Sequence, residues 1–180
     1  MGRPTNDDAA VFEVLAQTLV AASPEHVYEV VSDLPRCGDW SMECTGGTWV
    51  AGVPATVGAV FRGHNLRGGD VVAWAPVVRG AWTTDAEVVV AEPGRRFHWT
   101  IRDSFGHAQA SVWAYDIEPA PGGSTLIHHF RMDTPTEGIR KITSGMGDVE
   151  WARFRAEWTA KLQADMTNTV GRVRNVVEKD

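Results

Sequence analysis

The chain has 180 residues, enough for one folded unit with a sizeable core and too few for two ordinary ones; 43% hydrophobic and 22% charged residues exclude a disordered tail or a membrane span. Seventeen Lys and Arg against 23 Asp and Glu leave a formal net charge of −6, which argues against a general affinity for nucleic acid or anionic membrane surfaces. Tryptophan is overused: eight Trp stand beside six Phe and two Tyr, each with a wide apolar face and an N–H that needs a partner when buried.

The first ten residues are polar, lack the apolar stretch of a secretory signal and read as frayed. Asn6 stands where a myristoylation motif wants Ser or Thr. No apolar run approaches the ~18 residues of a spanning helix. The chain reads as cytoplasmic.

Phe12 to Val20 is apolar and β-branched enough for a strand. A short helix follows, with Ser23 as N-cap, Pro24 at the first helical position, Glu25 complementing the dipole, and Val27, Val30 and Val31 on one face. Leu34-Pro35 interrupts it, and Arg36 to Ser41 reads as a second brief helix or turn ending near Trp40. Strand-like runs then fall at 43–50, 57–67, 82–91, 95–103, 108–118 and 124–133. The turns Glu92-Pro93-Gly94, Phe105-Gly106-His107 and Glu118 to Gly123 join the later ones as antiparallel hairpins. Segment 68–81, with Gly68-Gly69, Trp74, Pro76 and Gly80, reads as a long loop or hairpin extension.

From Asp148, which can cap a helix, Trp151, Phe154, Trp158, Leu162, Met166, Val170, Val173 and Val177 recur every three or four residues. Glu157 and Lys161 make a favourable i,i+4 pair on this helix, about 45 Å long at 1.5 Å per residue. The order of elements gives an α+β unit over residues 11–180: a curved antiparallel sheet wrapped around a long C-terminal helix, with two short helices after the first strand.

The stretch from Ala22 to Asp33, with Trp40-Ser41 downstream, resembles the opening of the polyketide cyclase/START-related (SRPBCC) superfamily, which has the helix-grip fold and is also typified by the birch-pollen allergens. Further matches follow in the family's order at Val57 to Asn65, Ala91 to Phe97, Trp113 to Pro119 and Gly122 to Thr125. Segment 68–81 looks longer than the corresponding hairpin in many relatives. The resemblance implies a deep cavity between sheet and helix for an apolar or aromatic small molecule. It implies no single reaction, because members bind, carry, cyclise, dehydrate or sequester ligands.

Strand alternation supplies the cavity face if the more apolar parity points inward. That parity carries Phe61, Gly63, Asn65 and Arg67; then Trp82, Thr84, Ala86, Val88 and Val90; then Phe97, Trp99 and Ile101; then Trp113, Tyr115 and Ile117; and finally Leu126, His128, Phe130 and Met132. Phe154 and Trp158 join them from the helix, and Trp40 and Trp74 stand near the entrance, while Trp49 and Trp151 read as ordinary packing. Mostly apolar walls with a few polar groups suit a small-molecule site, although a filled core would need the same residues. His128 titrates near working pH and could move a proton, with Tyr115 or Asn65 polarising a carbonyl; a hydrogen-bonded structural histidine is the plainer reading. Arg67 could pair an enolate or a carboxylate, or simply face solvent at a strand end.

No metal site is expected. His128 and His129 point to opposite faces, and Cys37 and Cys44, read as reduced thiols that make at most one bridge, cannot complete a zinc shell. Ser41, Ser104, Ser111 and Ser124 lack a nucleophile-elbow context, and Gly63 to Gly69 lacks the ending of a phosphate loop. Neither a cofactor nor a nucleic-acid or membrane partner is expected, and the oligomeric state stays open. Two functions remain: a binder of a hydrophobic or aromatic polyketide- or lipid-like ligand, including one that sequesters a toxic metabolite, and a polyketide cyclase/dehydrase using His128 and Tyr115 as catalytic groups.

Overall fold

The computed structural model of the protein describes residues 10–68 and 80–179. The frayed tail expected before Ala10, Trp74 and most of the loop expected over 68–81 lie outside these residues. Strand β1 (Phe12–Val20) leads through α1 (Pro24–Ser32) and a 3₁₀ turn (Leu34–Asp39) to β2 (Cys44–Ala51), β3 (Val60–Arg67), β4 (Gly80–Glu92), β5 (Arg96–Ile101), β6 (Ser111–Ala120) and β7 (Gly123–Met132). Helices α2 (Glu137–Thr143) and α3 (Asp148–Val177) complete the chain. The seven strands form one antiparallel sheet in the order β1-β7-β6-β5-β4-β3-β2, and α3 packs along it, the α+β helix-grip architecture expected from the sequence. Among the described residues no helix is long and apolar enough to cross a membrane.

Local signals account for most boundaries. Ser23 caps α1 by accepting the His26 N–H at 3.2 Å, and Val27, Val30 and Val31 are buried as their spacing requires. Helix α2 was not anticipated: it has only two turns, started by Thr136, whose hydroxyl accepts the Ile139 N–H. Asp148 is the first helical residue of α3 and not its cap. Gly147 occupies the cap position, and the Glu150 carboxylate accepts the Gly147 N–H at 3.1 Å. The Glu157–Lys161 pair also gives way, because Glu157 takes Arg153 at 2.8 Å while Lys161 turns inward to Glu43 at 2.7 Å and to Asp165.

The register of the sheet slips twice between β2 and β3 and once between β4 and β5, and the last slip changes which residues face inward. The β4–β5 register slips between Val88 and Val90, so Val88 pairs with Trp99, Val90 with His98 and Ala91 with Phe97. Val90 therefore shares the outer face with His98, and Ala91 takes the inward place expected of Val90, next to fully buried Phe97.

Helix α3 runs in the same direction as β1 and is tied to it along its length. Arg155 donates to the Val11 carbonyl and Gln163 to that of Leu15, each at 2.9 Å, and Glu178 accepts the Ala21 N–H at 2.9 Å. This pairing divides the interior into two ends. At one, Phe97, Ile117 and Leu126 meet α1 and the last turns of α3, where Val27, Val31, Val170, Val173 and Val177 are all buried. At the other, the middle turns of α3 from Trp158 to Thr169 face the opposite ends of the strands, and a cavity remains.

Candidate functional site

The cavity has a volume of about 550 Å³. The sheet contributes Phe61, Asn65, Arg67, Trp82, Trp99, Trp113, Tyr115, His128 and Phe130 to its lining, and α3 contributes Trp158. Trp40 reaches it from the end of the 3₁₀ turn, and Ile139 and Ile142 of α2 line it as well. Of the residues read as ligand contacts, Phe154 alone does not line it. That ring is buried behind the wall, stacked between Trp151 and Trp158 at 5.6 Å from each and edge-on to Phe12. Trp49 packs edge-on to Phe61, 5.5 Å away.

Alternation along β5, β6 and β7 places the inward rings in register, and they stack. Trp113 lies 4.0 Å from Phe130, Tyr115 lies 4.4 Å from His128, and Trp99 lies 5.4 Å from Tyr115, all between ring centroids. Offset and tilted stacking of this kind fixes each ring by its neighbour and yields a rigid apolar wall.

His128 belongs to that wall. The Ala114 carbonyl lies 3.0 Å from Nδ1 and assigns the proton to that nitrogen, leaving Nε2 as the acceptor. Burial pushes the imidazole down to about 4, against the Ala114 hydrogen bond, so it is neutral at pH 7. Burial also raises the Tyr115 phenol, although a hydrogen bond from the Trp40 indole works the other way; the hydroxyl stays protonated. The pair therefore offers a neutral acceptor and a neutral hydroxyl.

Four charged lining residues gather in one cluster, while Arg102, Glu137 and Lys141 add charge elsewhere in the lining. Arg67 is buried, not solvated as its strand-end position had allowed. Its guanidinium binds Glu43 through Nε at 2.6 Å and a terminal nitrogen at 2.7 Å, and lies 4.7 Å from the Trp82 ring and 5.0 Å from that of Trp158. Lys161 Nζ donates to Glu43 and to Asp165. Burial works to raise the Glu43 carboxyl, but Arg67 and Lys161 outweigh it and hold the group below the usual carboxylate range. Asn65 spends its amide hydrogens on Thr84 Oγ1 at 3.1 Å and the Gly63 carbonyl at 3.4 Å, leaving its oxygen as an acceptor.

Several lining residues escaped the sequence reading, among them the polar Glu43, Lys161, Asp165 and Ser111. Glu43, Lys161 and Asp165 carry no local signal, because Glu43 and Lys161 are 118 residues apart in the chain. Ser111 did carry one: it shares the parity of Trp113 and Tyr115. It is 1% exposed, lines the cavity, and its hydroxyl is the one buried side-chain polar atom without a hydrogen-bond partner among the described residues. Among these residues no group of three or more His, Cys, Asp or Glu side chains is placed to hold a metal ion.

Residues 12–178 match the family described as polyketide cyclase/dehydrase and lipid transport. No curated protein matches the chain. Among solved structures, a Polyketide_cyc-like protein of Corynebacterium glutamicum is 27% identical, with a TM-score of 0.58 over 95% of this chain and 93% of that one. The Zhui aromatase/cyclase of Streptomyces sp. R1128 shares the fold at 14% identity and a TM-score of 0.63, over 93% of both chains. The di-domain aromatase/cyclase StfQ of the steffimycin biosynthetic pathway shares it at 13% identity and a TM-score of 0.65, over 93% of this chain and 50% of that one. With the match extending from β1 through the end of α3, the chain belongs to the polyketide cyclase/dehydrase and lipid transport family.

Proposed function

We propose that the protein binds a flat, largely apolar small molecule, of polyketide-like or lipid-like chemistry, between the sheet and the middle turns of α3. The observation that carries this reading is the stacked wall of Trp99, Trp113, Tyr115, His128 and Phe130 beside about 550 Å³ of space, a volume suited to a ligand of several rings. In this reading Phe61, Trp82 and Trp158 close the walls, and Trp40, expected near the entrance, is instead buried where its indole supports Tyr115. The acceptor of Asn65 and the unpaired hydroxyl of Ser111 orient the ligand's polar groups. Arg67, held by Glu43, sets the polar limit of the site. The protein acts in the cytoplasm as a carrier of such a metabolite or as its sequestering partner.

Cyclase or dehydrase chemistry is the second reading, favoured by one observation: the neutral His128 ring lies 4.4 Å from the Tyr115 ring on the cavity wall. An acceptor beside a hydroxyl donor can take a proton from a carbon acid and polarise its carbonyl, and enclosure supplies proximity. Against it, a base whose conjugate acid titrates near 4 is weak at neutral pH.

Titrating tryptophan fluorescence with aromatic polyketide-like and lipid ligands tests the first reading, with saturable quenching expected in the wild type and loss of it in Trp113→Ala. Absence of a saturable response to every ligand, with a crystal structure showing the space filled by side chains, overturns it. Single-turnover product analysis with any binder separates the second. Product that disappears in His128→Ala supports catalysis, whereas binding without product removes it.

A further inference from the structure

Cys37 and Cys44, seven residues apart in the chain, take no part in the proposed ligand chemistry, yet their sulfurs meet 2.7 Å apart in the cavity wall. The local sequence builds this meeting. After the 3₁₀ turn the Trp40 and Ser41 amides both return to the Cys37 carbonyl, at 3.2 and 2.7 Å. The Ser41 hydroxyl then accepts the Cys44 N–H at 2.9 Å, folding the chain back on itself. Gly38 makes the close approach possible, since a Cβ there would lie 2.7 Å from the Thr45 carbonyl oxygen. Gly46 turns the strand at φ +123°, where the β2–β3 register also slips.

The two thiols are not equivalent. Cys37 is buried and donates its S–H to Cys44, whereas Cys44 is half-buried and also borders a shallow surface groove beside Pro35 and Leu66. The hydrogen bond from Cys37 lowers the Cys44 thiol against the cost of burial, while Cys37 is raised by the same contact. A low-pKa, reachable thiol beside a second thiol is the arrangement of a reactive dithiol, with the second as resolving group.

We propose that Cys37 and Cys44 form a redox modification site, closing to a reversible intramolecular disulfide by exchange with a low-molecular-weight disulfide. The Cys44 thiolate attacks one sulfur of RS–SR, forming a mixed disulfide and expelling RS⁻. Cys37 then attacks Cys44 Sγ, forming the Cys37–Cys44 bond and expelling the second RS⁻. The protons lost by the two cysteines end on the two leaving thiolates, so the protein dithiol is oxidised as RS–SR is reduced to two RSH. A disulfide bond is about 2.05 Å long, so the sulfurs need to close by well under an ångström. The ring so closed contains Trp40 and Glu43, which places one cavity-lining indole and the anchor of Arg67 under redox control. This inference stands whatever the cavity holds.

The test uses the full chain, reduced with dithiothreitol, desalted, and equilibrated with oxidised glutathione. Alkylation with N-ethylmaleimide under denaturing conditions then counts thiols by intact mass. Reduced wild type is expected to take two adducts, and oxidised wild type none, with no glutathione retained and both thiols recovered on re-reduction. Cys37→Ser is expected to stop with one glutathione on Cys44, which identifies the attacking thiol. Wild type that keeps both thiols, retains glutathione, or crosslinks only between chains overturns the proposal.

Discussion

The two ends of the grip are made from the same seven strands and the same helix, yet one is filled and the other holds a cavity. Side-chain shape is the difference. At the filled end, valines from α1 and α3 interdigitate with Phe97, Ile117 and Leu126, and short branched side chains leave no room between layers. At the other, flat rings stack on one another along the strands. The paired cluster of Arg67, Glu43, Lys161 and Asp165 stands between β3 and α3, where collapse would strip the remaining water from its charges. Rigid rings together with paired charge keep a void open that aliphatic side chains would have closed.

The contrast predicts different consequences for similar changes. Leu126→Ala, at the filled end, should cost about 3 kcal/mol in urea unfolding, because a fully buried leucine leaves a cavity its neighbours cannot fill, while ligand titration stays as in wild type. Comparable loss of ligand binding would show that the two ends are not separable.

Acid reaches the open end by a different route. The His128 imidazole is held near 4 in the folded protein against about 6.5 when unfolded, so the unfolded chain binds the proton first. Stability from this group is complete above pH 6.5 and declines as the pH falls, by about 3 kcal/mol at pH 4. Depressed carboxylates such as Glu43 add to the acid loss, so the measurement is the difference in pH slope between wild type and His128→Asn, which should remove the part between pH 6.5 and 4.

Glu43→Gln should cost about 1–2 kcal/mol, less than a deeply buried pair, because its side chain is 24% exposed, and it should loosen Arg67 from between Trp82 and Trp158. Denaturant unfolding gives the first effect, and a changed fluorescence spectrum gives the second. Ser111→Ala is the smallest change to folding, within about 0.5 kcal/mol, since it removes a hydroxyl without a protein partner. If that hydroxyl orients the ligand, affinity should fall roughly two- to tenfold with stability unchanged.

The fold was legible because it is written in local periods: alternation along the strands, the three-and-four spacing from Trp151 to Val177, and the cap at Ser23. The aromatic wall was legible for the same reason, since parity carries Trp99, Trp113, Tyr115, His128 and Phe130 inward together. Departures occurred where a position depends on something non-local. A one-residue bulge exchanged Val90 for Ala91. Packing against Phe12 and Trp151 withdrew Phe154 from the wall, although it shares the helix stripe with Trp158. Lys161 left its expected partner Glu157 for Glu43, a choice that exists only once the sheet has brought β2 beside α3. Helix α2 was missed because two turns are too few to establish a period.

The bonds from α3 to β1 have a consequence for how copies of the protein can meet. An edge strand offers its free carbonyls to any passing chain, and β1 lies at the margin of the sheet. Arg155 already occupies the Val11 carbonyl and Gln163 that of Leu15. The helix thus acts as a chaperone built into the chain, and fibre growth by strand addition at β1 would first have to strip it away.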